Sequence, residues 1–186
     1  MTTSRIAIVN NALAELGQTA LTGLSDAALS AEVQATVYDT VYEALLGRVP
    51  WRFAMRKAQL SREVAVPLNE WSYQFVLPAQ CLRVVATYPN ISYEIYEQKL
   101  FANTTELAID YIHKVTEAAL PATYAVALHL KLAAAMCMAL TQDKELKKEL
   151  DGKANMQLAV AMSSDAMQRP NAQFRDAPFV NVRMGG

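Results

Sequence analysis

Apolar residues near the start of the chain recur at intervals of three and four, the spacing that puts them on one face of a helix. Residues 6–16 follow this spacing, with Ser4 before them as a helix cap and Gly17 after them as a suitable exit. A second apolar face lies between Ser30, another capping residue, and Pro50, which lacks a backbone donor and therefore ends a helix. This part of the chain predicts two helices.

After Pro50 the apolar period shortens to two residues, which is the pattern of a strand with one buried face. The alternation is clearest in residues 71–77, and shorter runs follow at 82–87, 91–96 and 106–115, separated by proline and asparagine. These runs predict a small antiparallel sheet inserted between helices.

Two further helices are predicted near the C-terminus. Pro121 suits the first position of a helix that runs to about Thr141 and is apolar on every side, as a buried central helix is. Its length of about 20 residues is enough to cross a bilayer. His129 and Lys131 in its middle argue against a membrane span, because a central lysine costs roughly 2.5 to 3.5 kcal/mol. Asp143 can start the last helix, whose second half is apolar and rich in methionine.

Together these elements predict an α+β fold that is mainly helical. In this prediction, residues 1–50 and 119–168 form a helical bundle, and residues 51–118 form the inserted small antiparallel β-sheet. With 53% hydrophobic and 19% charged residues, the composition is that of a globular chain with one core. Residues 169–186 have no sustained period and are expected to form an extended C-terminal tail.

The tail mixes aromatic, apolar and arginine side chains, which suits docking on another protein better than a free solvated end. A frayed terminus is the alternative. The candidate docking residues are Arg169, Phe174, Arg175, Phe179, Val180 and Arg183.

A second candidate site is the basic segment from residue 48 to residue 62. The 17 basic residues nearly balance the 18 acidic ones, so the net charge of −1 gives no global attraction to nucleic acid and any attraction must be local. The segment contains no acid and carries the cations Arg48, Arg52, Arg56, Lys57 and Arg62.

The aromatic residues Trp51 and Phe53 within this segment allow two interpretations. Aromatic rings beside cations can stack bases and follow a phosphate backbone, as in proteins that bind single strands. Alternatively, Pro50, Trp51 and Phe53 mark the junction where a helix stops and the chain enters the sheet, with both rings wedged between the two layers. The alternation with Arg52 is that of a strand with an apolar face inward and a basic face outward, which needs no nucleic acid.

The residues predict no metal, no cofactor and no catalytic group. Neither His113 nor His129 has a partner at ligand spacing, and the two cysteines lack the spacing of a zinc site. A third, hydrolase hypothesis would use carboxylates that meet on the sheet, as paired acids do in general acid/base catalysis. Solvent-facing strand positions account for Glu94 and Asp110 without it. The carboxylates concerned are Glu94, Glu97, Glu106 and Asp110.

A series of short motifs along residues 5–165 resembles a known protein family. The series consists of Leu16-Gly17, a polar loop, a helix ending in Pro50-Trp51 with Phe53-Ala54, then Trp71 to Phe75, Leu77-Pro78-Ala79, Cys81-Leu82-Arg83, Tyr93-Glu94-Ile95, Tyr111-Ile112 and the alanine-rich helix around 127–133. In this order the motifs resemble the head-to-tail adaptor, or connector, proteins of tailed bacteriophages, including the tail tubular protein A-like family. Gln80 stands where that pattern has aspartate.

The resemblance implies a non-enzymatic virion protein that forms a dodecameric ring between the portal and the tail. Such a ring extends the DNA channel and gives the tail a platform. The implied partners are further copies of the chain, the portal protein, a tail nozzle or other tail protein, and DNA that passes without sequence specificity, but no membrane. The implied location is the head–tail junction of the virion, after synthesis in the bacterial cytoplasm. The alternative from the residues is a nucleic-acid-binding module that uses residues 48–62.

Overall fold

The computed structural model describes residues 4–21, 31–68 and 70–168. The helices are α1 (Arg5–Glu15), α2 (Ala31–Arg48), α3 (Ala122–Leu140) and α4 (Lys144–Ala166). The strands, all between α2 and α3, are β1 (Met55–Gln59), β2 (Tyr73–Val76), β3 (Cys81–Tyr88), β4 (Tyr93–Tyr96), β5 (Lys99–Ala102) and β6 (Ala108–His113). Single 3-10 turns occupy Arg52–Ala54 and Glu117–Ala119.

The helix boundaries follow local signals. The Ser4 hydroxyl accepts a hydrogen bond from the backbone N–H of Ala7 at 3.3 Å, and Gly17 leaves α1 with a φ of +65°, a conformation in which glycine has no steric cost. Asp143 caps α4 by accepting hydrogen bonds from the backbone N–H groups of Glu145 and Leu146. The predictions for these helix ends are confirmed.

The strands form two separate antiparallel sheets. Sheet A has the strand order β1-β6-β3, and sheet B has the order β2-β5-β4. The prediction of one small sheet is therefore wrong. Strand β5 was not predicted, because its sequence KLFA is short and does not alternate. It follows a tight turn in which Glu97 and Gln98 both have positive φ, which returns the chain antiparallel to β4.

Sheet A is covered on both faces. The central strand β6 sends Ile112 into one core with Trp51 and Tyr124, and sends Ile109 into a second core with Phe75 of sheet B. Residues three apart on a strand point to opposite faces, so the same strand serves both cores. The helices therefore lie against one face of sheet A, and sheet B lies against the other.

The predicted helical bundle is wrong, and the chain is better described as mixed α+β. Helices α1, α2 and α4 each contact α3, but they do not enclose a core of their own. Their buried side chains share one core with Ile112 of β6 and with Val115, which follows that strand, and the half-buried Met55 and Leu82 of sheet A pack against the same core. Burying an apolar helix face against a sheet is the alternative to closing a bundle, and this chain uses it.

Helix α3 is long and apolar enough to cross a membrane by length and composition, and half of its most apolar window is buried in the protein. It contacts the three other described helices. Lys131 reaches outward from α3, and its Nζ lies 2.6 Å from the Asp151 carboxylate of α4.

Candidate interaction surfaces

The chain passes from α2 to β1 through a short junction at residues 50–54, whose aromatic rings turn inward. Trp51 is 1% exposed, and its Nε1 donates a 3.1 Å hydrogen bond to the backbone oxygen of Leu45. The ring of Tyr124 on α3 lies 5.1 Å from that of Trp51 and 5.2 Å from that of half-buried Phe53. Burial raises the pKa of Tyr124, so its ring stays neutral. Both aromatic rings thus pack against α3, while Pro50 is exposed.

The expected strand at this point is a 3-10 turn instead. Residues Arg52–Ala54 form the turn, and the strand begins only at Met55. The turn places Trp51 and Phe53 against one ring, that of Tyr124. In the sequence, the alternation of these two aromatic residues with Arg52 has the same period as a strand.

Asp165 of α4 holds the junction from the other side. Both of its carboxylate oxygens accept hydrogen bonds from the backbone N–H of Arg52, at distances of 3.1 and 2.9 Å, and the residue is 8% exposed. The carboxylate thus sits at the start of the 3-10 turn, where unpaired N–H groups favour negative charge. The role of Asp165 was not predicted from the sequence. The available signal was a lone acid in the uncharged second half of α4, between Lys153 and Arg169.

The basic segment does not form one patch. Arg56 and Lys57 are adjacent on β1 and therefore point to opposite faces of sheet A. Lys57 pairs with Asp110 across the strands, with 3.1 Å between Nζ and Oδ1, and this contact raises the pKa of Lys57. The guanidinium of Arg62 lies 5.1 Å from the ring centroid of Tyr73 on sheet B. Arg48 and Arg52 are exposed near the junction.

Arg56 is exposed at the mouth of a cleft between α2 and the end of β6. Lys114 lines this cleft and forms ion pairs with Glu43 and Asp39, which raise the pKa of Lys114. The pKa of the neighbouring His113 is lowered, first by burial and then by the positive charge of Arg56. The cleft is lined by charges of both signs.

The carboxylates expected to face solvent do not all do so. Asp110 is 6% exposed, so that prediction is wrong. Its Oδ2 accepts a 3.0 Å hydrogen bond from the Tyr88 hydroxyl, and Lys57 neutralises it. Glu94 lies on sheet B and accepts hydrogen bonds from Trp71 Nε1 and the Tyr96 hydroxyl. Asp110 shares a face of β6 with Ile112, and this face is turned away from sheet B, so Asp110 and Glu94 do not form the pair that the hydrolase hypothesis needs. Within the described residues, no group of three or more His, Cys, Asp or Glu is placed to hold a metal.

The second half of α4 is apolar on two opposite faces. One face is buried and carries Leu158 and Ala161. The other is exposed and is named here the α4 stripe: Met156 is 73% exposed, Val160 50% and Met167 79%. The stripe consists of Gly152, Met156, Ala159, Val160, Ser163 and Met167, and none of these six described residues is charged.

A second exposed apolar surface is the loop that precedes sheet B. In this 64–68 loop, Val64 and Leu68 are fully exposed and Val66 is 83% exposed, while Pro67 is buried. The loop is anchored on one side at Glu63, whose backbone N–H donates to the oxygen of Gln74 at 2.9 Å. A buried proline and an anchored start hold the three apolar side chains in solvent.

The candidate docking tail, residues 169–186, lies outside the described residues, as do its six candidate residues Arg169, Phe174, Arg175, Phe179, Val180 and Arg183. Helix α4 ends at Ala166, three residues before the start of the tail at residue 169. The α4 stripe and the Asp165 contact therefore directly precede the tail in sequence. Comparison with protein-family models and with curated protein sequences gives no match to this chain.

The burial of Trp51 predicts a large stability effect. Trp51→Ala should lower the free energy of unfolding by about 3 to 5 kcal/mol, because it removes a buried ring that fills the junction. Urea unfolding followed by circular dichroism measures this. Trp71→Ala is the matched control, since Trp71 lies half-buried just before strand β2, and it should cost clearly less. Equal effects of the two substitutions would contradict the wedge role of Trp51.

The Asp165 contact predicts a graded effect. Asp165→Ala should lower the free energy of unfolding by about 1.5 to 3 kcal/mol, which is the usual contribution of a hydrogen bond to a charged group. Asp165→Asn keeps one acceptor oxygen for the Arg52 N–H and should lose less. Chemical unfolding of both variants gives the order. A larger loss for asparagine than for alanine would show that the contact does not hold the junction.

Proposed function

We propose that this protein is a non-enzymatic structural virion protein, a head-to-tail adaptor that forms a dodecameric ring between the portal and the tail. In this role it extends the DNA channel and offers the tail an attachment platform. The proposal rests on the ordered series of motifs that resembles phage adaptors. Its partners are other copies of the chain, the portal, a tail nozzle or other tail protein, and DNA that passes through the ring.

The structural observation that supports the proposal is the exposed α4 stripe, which directly precedes the C-terminal tail in sequence. A monomer keeps Met156, Val160 and Met167 in water on a helix whose opposite face is already buried. Contiguous exposed apolar surface without charge marks a contact site for another protein. An assembly component needs such a surface, whereas a protein that works alone is better without it.

The geometry favours assembly over the nucleic-acid alternative. Trp51 is buried and its indole N–H is already bonded, so its ring offers no face on which a base can stack. Lys57 is paired with Asp110, and Arg62 lies over Tyr73. The remaining cations of the segment, Arg48, Arg52 and Arg56, are exposed and suit non-specific contact with DNA in a channel or with acids of a neighbour.

Deleting residues 169–186 tests the adaptor role. The truncated protein should fold as the full chain does but should fail to attach to its portal, because the docking aromatics and arginines are gone. Electron microscopy and co-sedimentation with the purified portal measure attachment. Replacing the same residues with a glycine-serine segment of equal length separates loss of contacts from loss of length. If the truncated protein still docks as tightly as the full chain, the tail does not carry portal binding.

A binding assay with single-stranded DNA tests the alternative. We expect affinity no tighter than the non-specific range, about 10⁻⁴ to 10⁻⁶ M, with loss of binding as salt rises. Fluorescence anisotropy at low and at physiological salt measures this. The triple charge reversal of Arg48, Arg52 and Arg56 to glutamate, with Lys148→Glu on α4 as a single-site control, locates any contact. Tight binding that survives physiological salt and falls only with the triple variant would favour the nucleic-acid module.

A further inference from the structure

We propose that the α4 stripe of one copy receives the 64–68 loop of a neighbouring copy, so that copies of this chain associate head to tail. This inference rests on the proposed function, because it names the surfaces by which copies would meet in a ring. It is carried by two exposed apolar surfaces that the same fold presents on different layers: the stripe on the helices, and the loop beside sheet B.

Among the described residues of one chain, nothing covers either surface. Helix α4 packs its buried face on α3, so the stripe is turned away from the rest of the helix layer. The loop lies next to β2, where Arg62 forms an isolated bridge with Phe75 of sheet B. Sheet A separates sheet B from the helices, because its two faces join the two different cores.

The two surfaces match in size and chemistry. From Met156 to Met167 the stripe is about 16 Å long, at 1.5 Å per residue. From Val64 to Leu68 the loop spans at most about 14 Å, so it fits along the stripe. The loop projects three branched apolar side chains, while the stripe offers methionines that adapt to irregular shapes beside the small residues Ala159 and Ser163.

Charges at the edges of the two surfaces are compatible with this pairing. The loop is followed in sequence by the exposed Glu70, whereas Glu63 before it is already paired with Lys99, at 2.7 Å between Oε2 and Nζ. The stripe is bounded by Lys153, whose side chain is 54% exposed although it pairs with Glu149. A head-to-tail contact therefore brings the exposed Glu70 toward a basic residue, whereas two loops facing each other would bring two copies of Glu70 together.

The area involved accounts for a weak contact, which forms transiently between free copies and becomes stable in a ring or on a portal. Three loop side chains and three large stripe side chains bury well under the roughly 1,200 Å² of a standard stable interface. A two-fold contact between two α4 stripes would also leave both loops exposed. A head-to-tail contact covers both surfaces with one interface, and such contacts close into rings when the rotation permits.

Cysteine cross-linking of purified protein, without portal, tests the contact. Val66→Cys and Val160→Cys are made as separate variants in a Cys81→Ser background, since Cys81 is a half-buried free thiol. Mixed one to one at about 100 μM with a short bismaleimide, they should give a dimer at twice the 20.5 kDa monomer mass, absent from either variant alone. Dimer from Val160→Cys alone would mean a stripe-to-stripe contact, and dimer from Val66→Cys alone a loop-to-loop contact. Either result, or no dimer in any sample, overturns the proposal.

A charge on the stripe provides the matched control. Met156→Lys in the Val160→Cys chain should reduce the mixed dimer at least fivefold, because it places a charge where the loop would lie. Asn155→Lys adds the same charge one position away from the stripe and should leave the yield unchanged. Equal yields from the two variants would overturn the proposed site.

These results are separable from the adaptor role. Loss of cross-linking with intact portal attachment overturns the head-to-tail contact alone. Loss of portal attachment with intact cross-linking overturns the adaptor role and leaves the contact between copies in place.

Discussion

The fold depends on strand β6, which must be covered on both faces. Ile109 and Tyr111 point to one side of the strand, and Ile112 points to the other. A single layer of helices covers only one of these faces, so the remaining strands form a second sheet that covers the other. The division of the strands into sheets A and B, and the position of α3 over sheet A, both follow from this need. A closed helical bundle would leave one face of β6 in water.

The junction between α2 and β1 links this core to the C-terminal end of the chain. Trp51 fills the space between the helices and sheet A, and Asp165 fixes the turn that follows it by binding the backbone of Arg52. Because Asp165 lies in the last turn of α4, any force on the segment after α4 acts close to this contact. The segment that carries the proposed portal contacts thus begins four residues after the side chain that holds the junction.

The apolar surfaces left outside the core lead to the functional proposal. Helix α4 buries one apolar face against α3, and the second half of its solvent-exposed face is apolar too. The 64–68 loop exposes three further apolar side chains. Exposed apolar area of this kind weakens solubility in a protein that acts alone. It is useful where copies meet only after a partner has gathered them. In the proposed role, weak contacts between copies would keep the protein monomeric until assembly begins.

By itself the sequence determined the helix ends and most strands, because caps, breakers and apolar periods act over a few residues. Ser4, Gly17, Pro50 and Asp143 are examples whose effect does not depend on distant parts of the chain. It also determined the motifs on which the adaptor proposal rests. The tertiary structure alone decided which strands pair, that Asp110 is buried beside Lys57, and that Asp165 reaches the backbone of Arg52 across 113 positions. The tertiary structure also separated the cations of residues 48–62, which lie on both faces of sheet A and in the cleft beside α2. These outcomes depend on contacts between residues far apart in sequence, which no local pattern encodes.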